Sequence, residues 1–213
     1  MQKNNTFIFW GISLVILVLF VWVIVNLAMP STKTEIINLD INASDIIKGS
    51  ETAKYTLLEY SDFQCPACAT YHPLIKKLAE EFPTDLKVVF RNFPLSEIHA
   101  NANPAAYAAG AANAQNKFWE MADILFSRQG EWAQLDKPEE KFVSYAEELG
   151  LDIERFKSDM NSATIKDKVS KDRISAENNN LNSTPTFFVN GQKITNPSSY
   201  NELKNAIFAD QNK

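Results

Sequence analysis

The stretch FQCPACATYHP holds both cysteines of the 213-residue chain, Cys65 and Cys68. Such a pair serves as a structural disulfide, as half of a metal site, or as a redox couple. A structural disulfide gains stability by closing a long loop, and a loop this short gains little. A zinc centre needs a full tetrahedral set. Beyond the two thiolates the chain offers only His72 and His99 as nitrogen ligands, so no metal is expected. Thiol–disulfide exchange needs one stabilised thiolate and a second thiol within bonding reach, and no cofactor.

The spacing supplies both if a helix starts at the pair. Cys65 then stands at or near the N-cap, where unpaired backbone N–H groups and the positive dipole end favour a thiolate. Pro66 falls on the first helical position, where its missing donor costs nothing. Cys68 comes one turn later on the same face, within the Cα separation of about 4.4–6.8 Å that a disulfide spans. Cys65 is therefore the expected nucleophile and Cys68 the resolving thiol, with Pro66 and Ala67 tuning the redox couple between them.

Those roles demand a strand to deliver Cys65 and a helix to carry Cys68. KYTLLEYSD, Lys54 to Asp62, is short, apolar and aromatic, as a buried strand would be. From Ala67 to Phe82 apolar residues recur at helical spacing, with Pro73 inside the run predicting a kink. LKVVFRNFP, Leu86 to Pro94, reads as a second strand. From about 98 to 178 the pattern is helical throughout, with Gly150 and Asp152 marking a joint between two helices. TPTFFVNGQKI then signals a hairpin around Asn190-Gly191, and a last helix is expected near Ser198 to Phe208. The order predicts an α/β domain with a helical insertion, placed at 48–213.

Ahead of it lies a different composition. Phe7 to Val25 carries no charge and as a helix would reach about 28 Å, close to the roughly 30 Å core of a bilayer. A secretory signal would be shorter in its apolar part and end in a small-x-small site, which VNLAMPS lacks. The expectation is an uncleaved signal anchor at 1–29, one N-terminal transmembrane helix, followed by a polar tether at 30–47. The net charge of −5 and pI near 5.2 leave no basic stripe, so a nucleic-acid partner is not expected.

FQCPACATYHP after a strand and STPTFFVNG far downstream together resemble the DsbA-like thiol oxidoreductases of bacteria, over about Lys54 to Phe208. The resemblance implies a thioredoxin-like fold with an inserted helical domain. It also implies that Thr184-Pro185 is a cis-proline dipeptide facing the cysteines, with the Thr184 backbone pairing with an extended substrate peptide and Pro185 shielding the dithiol from metal. Glu59 stands where such proteins hold a buried acid beneath the disulfide, placed to take a proton from Cys68; a strand carboxylate pointing to solvent is the alternative. Ala67 departs from the pattern, because strongly oxidising members often carry histidine there.

The implied function is oxidation of cysteines in exported proteins by a membrane-anchored, extracytoplasmic enzyme, reoxidised by a quinone-linked membrane partner of DsbB or VKOR type. A reductase or isomerase is the alternative, and a non-catalytic peptide-binding or metal-delivery module a lesser one. His72 is expected on the surface, and Phe118, Trp119 and Phe126 in the core of the insertion.

Overall fold

The computed structural model describes residues 6–28, 37 and 40–209, in two units, 1–34 and 35–213. The first contains helix α1 (Thr6–Ala28), whose side chains from Trp10 to Ile24 are exposed. The expected membrane-spanning helix is not met: among the described residues no helix is long and apolar enough to cross a membrane.

The second unit is built on a five-stranded sheet of order β1-β3-β2-β4-β5. The strands are β1 (Ile46–Gly49), β2 (Tyr55–Ser61), β3 (Leu86–Asn92), β4 (Thr186–Val189) and β5 (Gln192–Ile194). β2 and β3 run parallel, Tyr55 opposite Leu86, and the crossover between them is helix α2 (Pro66–Glu81). The other pairings are antiparallel. Both faces of β2 are covered, which explains its nearly continuous apolar sequence. Leu57 packs with Ile75 and Leu78 of α2 and with Leu203 and Ile207 of α9 (Tyr200–Phe208). Leu58 and Tyr60, on the opposite face, pack with Val89, Phe188 and Ala176.

Between β3 and β4 comes the helical insertion: α3 (Ala102–Asn113), α4 (Phe118–Ser127), α5 (Gln129–Trp132), α6 (Glu139–Glu148), α7 (Ile153–Met160) and α8 (Ala163–Asn178). Small residues let α3 approach its neighbours. Ala105, Ala108, Ala109 and Ala112 are fully buried, and a Cβ added at Gly110 would lie 2.6 Å from Ile165 Cγ2 of α8. Asp152 caps α7 by accepting from the Arg155 N–H, after Gly150 turns the chain with φ +68°. The hairpin turn uses Asn190 and Gly191, both at positive φ, as a tight right-twisted connection requires.

One strand was not anticipated. Ile46 and Ile47, assigned to the tether, form edge strand β1 against β3. Ile37 and Ile41 pack on the same face of the sheet as Leu58, and the Ile37 N–H donates to the Gly191 carbonyl at 2.8 Å. The folded unit therefore begins ahead of Lys48. Isolated apolar pairs carry no periodicity of their own, and only the partner strand gives them a face to cover.

Candidate active site

The end of β2 delivers the chain to Cys65, and Cys65 is the N-cap of α2 with Pro66 next to it. No side chain caps this helix end, so its free N–H groups remain available to the sulfur. The cysteines are free thiols; Cys65 is 7% exposed and Cys68 fully buried. Cys65 Sγ donates to the Thr184 carbonyl at 3.4 Å, and the Thr184–Pro185 peptide bond is cis. Loop and helix, far apart in sequence, thus meet at the nucleophile.

The surroundings divide the two thiols electrostatically. Cys65 is pulled down to about 5, chiefly by a hydrogen bond from Cys68, against the opposing effect of burial. The Thr184 side chain and the backbone N–H groups of Cys68 and Ala67 add to the pull. Cys68 is pushed well above its ordinary range by burial, by the bond it gives to Cys65, and by the nearby charges of Glu59 and Cys65. A thiol with a lowered pKa at the helix end beside a fully buried one is the arrangement exchange chemistry needs, since the thiolate is the nucleophile.

Glu59 lies under the pair, 2% exposed. Burial lifts its carboxyl to about 7, with the Cys65 charge adding and the Ser61 hydroxyl acting in the other direction. Its Oε1 has no hydrogen-bond partner, nor do the Ser61 and Thr184 hydroxyls. Orphaned buried polar atoms are uncommon. Here Ser61 stands beside Glu59 and Thr184 beside Cys65.

Polar side chains fix the loop ahead of Cys65. Buried Asp62 accepts from the Gln64 N–H at 2.8 Å, the Leu95 N–H at 2.9 Å and His99 Nδ1 at 2.7 Å. Gln64 holds the insertion through the Ala133 carbonyl and the Asn101 N–H. From α5, Gln129 Nε2 donates to the Phe63 carbonyl at 2.7 Å and to the Cys65 carbonyl at 3.0 Å. Asp62 and Gln64 leave a trace in the sequence, as polar residues inside the apolar run YSDFQC. Gln129 leaves none.

Two expectations are corrected. His72 is buried, not superficial: α4 covers it, its Nε2 pairs with Asp123 Oδ1 at 2.7 Å, and its ring lies tilted against Phe126 with centroids 4.7 Å apart. Trp119 is half-buried and lines a pocket with Glu59, while its neighbours Phe118 and Phe126 are buried in the insertion's core. Among the described residues no cluster of His, Cys, Asp and Glu is arranged to hold a metal.

A catalytic-type dithiol at a helix start, faced by a loop carrying a cis X–Pro bond, on a β-α-β framework, defines a thioredoxin-like protein. The chain belongs to the thioredoxin family, whose pattern matches residues 42–209. Its fold is that of Wolbachia pipientis alpha-DsbA1, with a TM-score of 0.70 at 21% identity over 79% of this chain and 91% of that one. The oxidised BdbD of Bacillus subtilis superposes with a TM-score of 0.65 at 23% identity, covering 81% and 94%. Among curated relatives, a Na(+)/H(+) antiporter NhaA 1 of Salinispora arenicola is 38% identical over 149 residues, 70% of this chain and 22% of that protein. The chain spans about a quarter of the length of the curated relatives it matches.

Proposed function

We propose that this protein is a thiol–disulfide oxidoreductase that oxidises cysteines of exported proteins through a Cys65–Cys68 disulfide, with its domain on the extracytoplasmic side of a membrane. The observation that carries the reading is the split between the thiols: Cys65 at the open helix end, held near 5, and Cys68 sealed beneath it and kept protonated. A substrate thiolate attacks Cys65 Sγ of the disulfide, the Cys65–Cys68 bond breaks, and Cys68 leaves with the electron pair and a proton. A second substrate thiolate then displaces Cys65, which departs as its stabilised thiolate. Thr184 and Pro185 form the wall against which an extended substrate peptide lies.

The value near 5 falls between about 3.5 for DsbA and about 7 for thioredoxin, in keeping with Ala67 in place of histidine. A stabilised Cys65 thiolate favours the reduced protein, and so favours passing the disulfide to substrate over taking one from it. A quinone-linked membrane oxidase of DsbB or VKOR type is the partner this direction requires. The large apolar side chains of α1 stand exposed, Trp10 at 75%, a surface costly in water; that favours attachment to a membrane, although no helix among the described residues is long and apolar enough to cross one.

The test is trapping. Cys68→Ala accumulates mixed disulfides through Cys65 and Cys65→Ala does not; equal trapping by both overturns the assignment of roles. The reduction potential against glutathione buffers fixes the direction: above about −180 mV for an oxidase, near −270 mV for a reductase.

A further inference from the structure

The turn into Cys65 is splinted along its length by the loop that follows β3. The Phe93 N–H donates to the Ser61 carbonyl at 2.7 Å. The Leu95 N–H and His99 Nδ1 reach Asp62 Oδ2 at 2.9 and 2.7 Å, and the Asn101 N–H donates to Gln64 Oε1 at 2.6 Å. Of these donors only His99 uses its side chain; the others are backbone groups that any residue but proline supplies. On its outer side the same loop is held by Arg173 of α8, through Ser96 Oγ at 3.1 Å and Glu97 Oε1 at 3.0 Å.

Asp62 is where this splint meets the dithiol. Its side chain is sealed from solvent and that of His99 is 17% exposed. Both carboxylate oxygens accept from backbone N–H groups, Gln64 on Oδ1 and Leu95 on Oδ2, and His99 Nδ1 donates as the third partner. The backbone of the same residue serves both cysteines. Its carbonyl accepts the Cys65 N–H at 3.1 Å, and its N–H favours the charged form of the fully buried Cys68. Asp62 stands just past the last ladder pair of β2, Ser61 opposite Asn92. Beyond that point the sheet no longer aims the backbone, so the side chain must.

We infer that His99 is a positioning residue of the dithiol: it clamps the Asp62 side chain so that the Asp62 backbone holds Cys65 in place and offers its N–H to charge on the Cys68 sulfur. The inference rests on the thiol-exchange reading and adds a residue to it. When a substrate thiolate attacks Cys65 Sγ, the bond between those two sulfurs forms, the Cys65–Cys68 bond breaks, and Cys68 takes the electron pair. That charge appears on a sulfur without access to solvent, where a prealigned donor is worth more than it would be in water. Closure of the mixed disulfide passes through the same transition state in reverse, so the same N–H assists it. His99 touches neither sulfur and acts only through the residue it holds.

The test uses the full chain in detergent, with glutathione as the probe. The chain in its disulfide form is mixed with reduced glutathione, and acid quenching with mass measurement follows opening to the Cys65–glutathione disulfide. His99→Leu removes the donor and should slow opening about tenfold, at the low end for one hydrogen bond to a charged group. Alkylation of Cys65 by iodoacetamide in the reduced chain places no charge on Cys68 and should stay within about twofold of wild type. His99→Asn, whose side-chain N–H can stand in for Nδ1, should restore opening. Opening at the wild-type rate in His99→Leu overturns the inference. Equal slowing of opening and alkylation also overturns it, because that marks a loosened loop and not a lost donor at Cys68, and so does opening in His99→Asn as slow as in His99→Leu. If His99→Leu does not fold, His99→Ala takes its place under the same criteria. A wild-type chain that is alkylated at Cys65 yet forms no glutathione disulfide would sink the thiol-exchange reading itself, whatever His99 holds.

Discussion

The two faces of the central sheet bury charge in opposite ways. On the face covered by α2, Glu59 of β2 keeps an oxygen without a partner and its carboxyl is lifted to about 7. On the other face, Arg91 of β3, across from Tyr60 of β2, is saturated. Its Nε and Nη2 reach both carboxylate oxygens of Asp45 at 2.9 Å, Nη1 reaches the Tyr60 hydroxyl at 3.1 Å, and Nη2 the Asp40 carbonyl at 3.1 Å. Burial would raise the Asp45 carboxyl, but the Arg91 bonds outweigh it and leave it below the usual range. One face therefore fixes its charge in place and ties the segment ahead of β1 to the sheet. The other leaves a buried carboxyl incompletely paired beside the dithiol. Pairing serves architecture and incomplete pairing serves chemistry.

The paired face should break hardest. Asp45→Ala leaves the Arg91 guanidinium buried beside no carboxylate and should cost about 3–5 kcal/mol in urea unfolding at pH 7, the usual penalty for removing one partner of a buried pair. A loss below about 1 kcal/mol would mean that water reaches Arg91 and that the contrast between faces is false.

Glu59→Gln should act with the opposite sign. The folded carboxyl, near 7, is raised above its ordinary 4.5, so its contribution to stability is fully present below 4.5 and is lost as pH rises through 7. The variant should match wild type at pH 4 and exceed it at pH 8 by up to about 3 kcal/mol, while closing its disulfide more slowly. Paired melts at those pH values decide it, and a variant less stable than wild type at pH 8 would show that Glu59 is satisfied after all.

Gln129→Ala should show the smallest effect. It removes the amide that holds the Phe63 and Cys65 carbonyls, and a loss of about 1 kcal/mol is expected from net hydrogen-bond values, with Cys65 alkylated by iodoacetamide at nearly the wild-type rate. A large fall in that rate would promote Gln129 from support of the loop to control of the thiolate.

Local signals carried much of this molecule into view. The Cys65-Pro66-Ala67-Cys68 turn, the strand before it, the Asn190-Gly191 hairpin and the Gly150–Asp152 joint all depend on neighbours in the chain, and the sequence shows them directly. The features that stayed hidden are those made by distant partners. Arg91 and Asp45 lie 46 residues apart, and His72 meets Asp123 across 51. A histidine on the rim of an amphipathic helix looks superficial until α4 is laid over it, and Ile46 looks like tether until β3 supplies an edge. Glu59 stood between two readings, buried acid or solvent-facing carboxylate, because β2 is covered on both faces and period-2 alternation therefore says nothing about which way it points.

The close approach at Gly110 carries a consequence for heredity. With Ile165 Cγ2 only 2.6 Å from where a methyl would sit, and with the flanking alanines fully buried, this face of α3 is already at the smallest side chains the genetic code offers. A lineage can enlarge Gly110 only if the Ile165 side chain or the helix that carries it gives way, and α5, which grips the Cys65 carbonyl, belongs to the same insertion. Drift at the alanine face is therefore answerable to the dithiol, and variation in descendants of this chain should concentrate elsewhere on the insertion.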